Sequence, residues 1–289
     1  MMRTDHLAGT VSTIEDVRAF WNKAPLWTGD SQAQGVAGSR EFFESHYAAS
    51  ISEAGGCIDR RMLPASNGAI LDLGCGIGFW LQHFHALGFT DLTGADLSQK
   101  SLDLARRRCE IFGIPARLSL QNAEAASFQD ALFDHIQCTG VIHHSPDPRA
   151  SLSEMWRLLK PGGRAVVSVY YKNVVLRHWR TLRGLVRLAG ALGVSLGGRG
   201  RDNMLEDAKS ADDLVRLYDG LENPIGLAFD AEEYRELIRS SAPWTIEDMF
   251  TYMFPDRALP FRLPHVGHAA FEWACPMMIC ARLVKQADS

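Results

Sequence analysis

The stretch Ile70-Leu71-Asp72-Leu73-Gly74-Cys75-Gly76-Ile77-Gly78 restricts the fold of this chain more than any other. Ile70, Leu71 and Leu73 form a short apolar run of the kind that fills a parallel strand buried on both faces. The run breaks into glycines at alternate positions, which can adopt backbone angles closed to other residues and let the main chain approach a ligand closely. Phe79-Trp80-Leu81-Gln82-His83-Phe84 then reads as a helix whose free N–H groups face the same crevice.

Several nucleotide-binding α/β folds share this strand, turn and helix, and the spacing separates them. A dinucleotide fingerprint needs a third small residue where Phe79 stands, and a P-loop needs a Gly-Lys-Ser/Thr, yet no lysine occurs between Asp72 and Lys100. An acid followed by Gly-x-Gly-x-Gly, Asp72 to Gly78, resembles instead the first motif of class I S-adenosylmethionine-dependent methyltransferases. His143-His144-Ser145-Pro146-Asp147-Pro148 and Leu159-Lys160-Pro161-Gly162-Gly163 are similar to later motifs of that family. The resemblance covers about residues 69–171 and reaches the ends weakly.

The family implies a doubly wound, Rossmann-like α/β fold, with a mostly parallel seven-stranded sheet whose last strand is antiparallel. It also implies S-adenosyl-L-methionine as cofactor, S-adenosyl-L-homocysteine as product, and no metal. Leu92-Thr93-Gly94-Ala95-Asp96 reads as a second strand ending in an acid, 24 residues past Asp72, the distance expected in a βαβ unit. A carboxylate there accepts from both ribose hydroxyls better than a neutral group would, and Leu97 offers an apolar face to adenine. Asn122-Ala123-Glu124 stands where the family usually carries Asp-Ala-Glu. The Asn122 amide oxygen can still accept from the adenine amine, and the resemblance places the next N–H, that of Ala123, on a ring nitrogen. Solvated turn residues are the alternative for Asp96 and Asn122. Cofactor contacts are thus expected at Asp72, Gly74, Cys75, Gly76, Gly78, Asp96, Leu97, Asn122, Ala123 and Thr139.

Composition narrows the partners. Hydrophobic and charged contents of 46% and 22% are those of a soluble globular protein, and 289 residues allow one or two domains. A net charge of −4 provides no basic excess for nucleic acid. The six cysteines include no Cys-x-x-Cys and no zinc-type spacing, so they read as reduced, mostly buried thiols. No apolar run approaches the roughly 18 residues of a membrane span, and the N-terminus lacks a signal core. The expectation is a cytoplasmic enzyme acting on a small molecule, its oligomeric state open. Thr139-Gly140-Val141-Ile142 also lacks the Asp/Asn-Pro-Pro-Tyr/Phe of base amine methyltransferases, and Cys138 lacks the Pro-Cys context of base C5 enzymes.

The chain divides into N-terminal helices (1–68), the cofactor core (69–171), a helical insertion or lid (172–228) and the rest of the core sheet (229–289). Ser12-Thr13-Ile14-Glu15 fits a capping box ahead of a helix that ends before Pro25. A second helix spans about Ser39 to Ala54. The family commonly lays such helices over the cofactor and the substrate pocket, which makes Trp21, Trp27, His46 and Tyr47 substrate candidates, with plain packing as the alternative. Within the insertion, Arg177, Arg180, Arg183 and Arg187 recur at steps of three and four beside leucines and valines, so one basic amphipathic helix is expected. Arg177 could meet an anionic or lipid-like substrate; the helix could also rest on a membrane surface or partner, or serve as a lid with a solvated stripe.

Displacement of a methyl group from a sulfonium needs mainly alignment and exclusion of water. An acceptor that loses a proton needs a base at the end of the fourth or fifth strand. His143, His144, Tyr170 and Tyr171 are the candidates, His143 first. A cofactor-binding regulatory module and an RNA-directed enzyme guided by the basic insertion are the competing functions.

Overall fold

The structure is a computed structural model that describes residues 12–23, 25, 28, 34–191, 208–254 and 265–287. Its sheet consists of β1 (Ile70–Leu73), β2 (Leu92–Asp96), β3 (Ala116–Leu120), β4 (Phe133–Thr139), β5 (Leu159–Tyr171), β6 (Ala228–Phe229), β7 (Thr245–Tyr252) and β8 (Met278–Val284). The order is β3-β2-β1-β4-β5-β8-β7, with β6 paired to the end of β5. Strands β1 to β6 pair in parallel, while β8 runs antiparallel to both β5 and β7. The expected sheet is therefore present, with the two-residue β6 as an addition.

All four residues of β1 are buried, as a strand covered on both faces requires. Alternation sends them into two cores. Leu71 and Leu73 join Ile136, Val167 and residues of α5 (Pro148–Leu158), whereas Ile70 joins residues of α3 (Phe79–Ala86) and α4 (Gln99–Phe112). Several helices start where the sequence supplies a cap. Ser39 accepts from Phe42 N–H ahead of α2 (Arg40–Glu53), Ser98 from Ser101 N–H, and Asp147 from Arg149 and Ala150 N–H with Pro148 at the first helical position. Asp230 and Glu233 close a capping box ahead of a helix at Ala231–Ser241.

One local expectation is corrected here. The capping box of α1 (Ile14–Lys23) lies one residue later than expected: Thr13 N–H donates to Asp16 Oδ2 at 2.8 Å and Asp16 N–H to Thr13 Oγ1 at 3.3 Å. Strand β5 begins at Leu159, because Gly162 N–H donates to Lys285 O and Lys285 N–H to Gly163 O, which carries the Pro-Gly-Gly turn into the sheet.

The insertion leaves at Tyr171 and returns as β6 beside Tyr170 and Tyr171, so both its ends are tied to the carboxyl end of β5. The single basic helix breaks at His178 into α6 (Val174–Arg177) and α7 (Trp179–Ala191). Trp179 is buried against Leu214 and Leu217 of α8 (Ala211–Asp219), with the Arg180 and Arg183 guanidinium groups each 5.6 Å from its ring centre. Among the described residues no helix is long and apolar enough to cross a membrane.

Gly74 has φ +80°, and a Cβ there would lie 2.3 Å from Val141 Cγ2. Gly74→Ala should therefore lower unfolding free energy by roughly 2–4 kcal/mol through strain and overpacking. Adding Val141→Ala should recover part of that loss in denaturant titration; no recovery would mean that the steric contact is unimportant.

Candidate active site

The crevice is built at the carboxyl ends of β1 and β2. Gly74 and Cys75 N–H both donate to the Ala95 carbonyl, at 2.7 and 2.9 Å. Gly76 N–H and Ser98 N–H donate to the two oxygens of Asp96, each at 2.8 Å. A Cβ on Gly76 would meet nothing within 4 Å, so the turn has an open face. Gly78, at φ +84°, starts α3 without a side-chain cap and leaves the first N–H groups of that helix available.

Two carboxyl groups share this low-polarity wall. Asp72 is buried, and its Oδ2 has no partner among the described residues. Burial first, and then the Asp96 charge, hold it well above the usual carboxylate range. Asp96 is only half-buried by area, yet the protein packed around it raises it as well, against the lowering effect of the Ser98, Gly76 and Leu97 N–H groups. Such a wall favours a ligand that brings positive charge and hydroxyl donors. Asn122 Oδ1 already accepts from Glu124 N–H at 3.0 Å, in a turn bridged to Ala125. Ala123 packs on the core, Leu97 is half-buried, and Thr139 Oγ1 accepts from the Trp80 indole at 2.6 Å.

Beyond Thr139 the chain enters a cluster of buried polar side chains. A short 3-10 turn, Ile142–His144, brings the His143 ring 4.2 Å from His144 and 4.3 Å from Tyr170, measured between ring centres. The loop is held from behind by Glu124, which accepts from the Ser145 hydroxyl and from Asp147 N–H. His143 is 1% exposed and its Nδ1 has no partner among the described residues. Burial, reinforced by His144, holds its imidazole well below the usual range, so the ring is neutral. Tyr170 donates to both oxygens of Asp219 at 2.9 Å, and His144 Nε2 lies 3.2 Å from Asp219. The Trp21 ring packs 5.3 Å from that of His144. The α1 end is pinned over the crevice, because Ser98 Oγ donates to Trp21 O and Asn22 Oδ1.

His143, His144, Tyr170 and Trp21 are thus brought together. Tyr171 is not, since adjacent strand residues face opposite sides; it packs on the core and its hydroxyl accepts from Arg177 at 3.2 Å. Arg177 also donates to Lys172 O and is exposed. His46 lies 3.0 Å from Arg108 Nη2, and burial, reinforced by the Arg108 charge, takes its imidazole down to about 3. Tyr47 shares a hydrogen bond with His83 Nδ1 at 2.8 Å. Trp27 lies outside the described residues. The sequence reading missed Asp219, Asn223 and the Ile225 carbonyl, whose only signal was a polar helix end followed by an Asn-Pro turn. An open cavity of about 570 Å³ lies at the opposite, amino ends of the strands, where Arg117 and Lys160 are already paired with Asp91 and Asp134.

The family described as a methyltransferase domain matches residues 71–167, from β1 through most of β5. Residues 71–167 of this chain thus carry a methyltransferase domain. Its sequence is 33% identical over 117 residues to a ubiquinone biosynthesis O-methyltransferase of Thiobacillus denitrificans, covering 40% of this chain and 50% of that protein. A second protein of that name, from Idiomarina loihiensis, is 34% identical over 43% of this chain and 49% of its own length. The chain therefore matches half or less of these relatives. Among solved structures, an S-adenosylmethionine-dependent methyltransferase of Methanosarcina mazei superposes with TM-score 0.53 at 19% identity, over 77% of this chain and 94% of that one. The (4+2) cyclase SpnF gives 0.58 at 14% identity over 96% and 97%. At such identities the likeness concerns the fold.

The methyltransferase domain's crevice fits the family's cofactor, S-adenosylmethionine. The unpartnered Asp72 oxygen and the raised carboxyls suit its positive charges, the open Gly76 face admits a close approach, and Asp96 stands where paired hydroxyls can donate. Among the described residues no group of three or more His, Cys, Asp or Glu side chains is placed to hold a metal.

The carboxyls make opposite tests. In Asp72 the folded carboxyl sits above its ordinary 3.8, so its contribution to stability is full below about pH 4 and is lost as pH rises through the folded value. Without cofactor, Asp72→Asn should gain stability relative to the parent between pH 4 and 8; parallel curves would contradict the shift. Asp96→Asn should weaken S-adenosylhomocysteine binding about tenfold in calorimetry, the difference between charged and neutral acceptors.

Proposed function

We propose that this protein transfers the methyl group of S-adenosylmethionine to a hydroxyl oxygen of a small, ring-bearing molecule of phenolic or quinol-like type. One observation carries the proposal: a neutral, buried imidazole with an unpartnered nitrogen, His143, sits just past the β4 end of the cofactor crevice, flanked by His144 and Tyr170. The ubiquinone O-methyltransferases that match the core support an oxygen acceptor on a ring.

When bound, the cofactor supplies a methyl group on a sulfonium, already a good leaving group. Asp96, Gly76 and Asp72 hold and orient it, while Trp21 and the insertion exclude water from the pocket. His143 receives the hydrogen bond of the acceptor hydroxyl. A ring held so far down is a weak base at rest, but the hydroxyl proton becomes strongly acidic as its oxygen takes the methyl group, and a weak base then suffices. We place the reaction in the cytoplasm, where the six unpaired thiols stay reduced.

Incubation with methyl-labelled cofactor and a metabolite extract, followed by mass analysis of labelled products, tests the proposal. Product formation is the needed readout, because a cyclase has a similar fold and binding alone would not separate the functions. The expected product carries the label on oxygen. His143→Ala should lower turnover on it by about 10²-fold with S-adenosylhomocysteine affinity unchanged; unaltered turnover would remove His143 from the chemistry.

A further inference from the structure

Apolar exposure is concentrated on the insertion. Among the described residues eleven large apolar side chains are exposed, and five of them lie there: Val174, Val175, Leu185, Leu188 and Leu221. Helix α7 is fixed at its start, where Trp179 is buried against Leu214 and Leu217 of α8. Further along, Leu185 and Leu188 are 55% and 60% exposed and stand one turn apart, so they share a face that the rest of the described protein leaves open. Thr181 and Gly184, both exposed, lie between that face and the exposed Arg180. Helix α6 carries its own exposed pair, Val174 and Val175, beside the exposed Arg177. No acid occurs on either helix. Asn173, which caps α6, donates to the Pro276 carbonyl at 2.9 Å, and the helix His265–Ala274 just before that proline presents Trp273 at 87% exposure.

We propose that α6 and α7 seat the protein on an anionic lipid surface, with the leucines and valines at the edge of the acyl region and the arginines against lipid phosphates. An interfacial helix needs both kinds of side chain, apolar ones at the acyl boundary and cations beside them at headgroup level. A solvated stripe would account for the arginines and leave the leucines without a role. RNA would likewise engage the cations and offer no apolar phase to Leu185 and Leu188. Trp273 suits the same level, since an indole pairs an apolar body with one N–H donor. Both ends of the insertion are tied to the carboxyl end of β5 beside Tyr170, so a docked α7 lies on the side of the molecule that holds the histidine cluster. The inference does not rest on the methyl-transfer reading.

The test is co-sedimentation of the whole protein with lipid vesicles, read without cofactor or acceptor so that its outcome is independent of methyl transfer. The protein should sediment with phosphatidylcholine vesicles that contain phosphatidylglycerol and stay in solution with phosphatidylcholine alone, and binding should fall as salt rises. Leu185→Ser combined with Leu188→Ser should weaken binding about tenfold, through loss of two side chains from the acyl boundary, while the circular dichroism spectrum and S-adenosylhomocysteine affinity stay those of the parent. Leu87→Ser, at a leucine 50% exposed just past the far end of α3, should leave binding unchanged. A parent protein that ignores anionic vesicles would overturn the proposal whatever the variants do. Equal binding to both vesicle types would overturn it as well, and so would a double leucine variant that binds like the parent. RNA binding in place of lipid binding would sink it too, as would a dimer of the parent that the leucine substitutions dissolve, because another molecule would then cover the face.

Discussion

The fit of Gly74 against Val141 is the constraint on which the crevice depends. A side chain at position 74 would run into Val141 at 2.3 Å, and only a glycine tolerates the backbone angle found there. On one side of this contact, Gly74 and Cys75 donate to the Ala95 carbonyl and set the crevice wall that ends in Asp96. On the other, Val141 leads directly into His143 and His144. The missing Cβ thus lets the groups proposed for cofactor and for acceptor meet at the carboxyl ends of the central strands.

The polar groups gathered there are costly to bury unless they are paired. The structure leaves some unpaired where the proposed ligands belong, namely Asp72 Oδ2 and His143 Nδ1, and pairs the others closely, as in His144 with Asp219 and Tyr170. In the proposed reading the first kind of group holds a bound molecule in place. The second kind builds the walls. Helix α1 spans the two by tying Trp21 and Asn22 to Ser98 while its far end reaches the insertion, where Ser12 Oγ donates to Pro224 O at 3.3 Å.

Much of the frame was legible in the residues themselves. Glycines at alternate positions after an apolar run, an acid at the end of the next strand, and Ser, Asp and Pro at helix starts all act through bonds to residues a few positions away. The same local logic misplaced the α1 capping box by one residue, because Ser12 and Thr13 are both acceptable caps and only the Asp16 carboxylate, paired with Thr13, decides between them. It also treated the basic stretch as one helix, since the break at His178 comes from burying Trp179 under α8 rather than from any helix-breaking residue.

The sequence by itself determined the parallel sheet, the glycine crevice and the family of the core, because strand length, turn stereochemistry and helix capping are set within a few residues. Only the tertiary structure decided which polar side chains meet. Tyr170 faces the histidines while Tyr171 turns to the core, His46 meets Arg108, and Asp219 reaches His144 from a helix some 70 residues further on. Those meetings depend on where a long insertion is anchored, and its anchor, β6 beside the end of β5, is a pairing of two residues too short to leave a pattern.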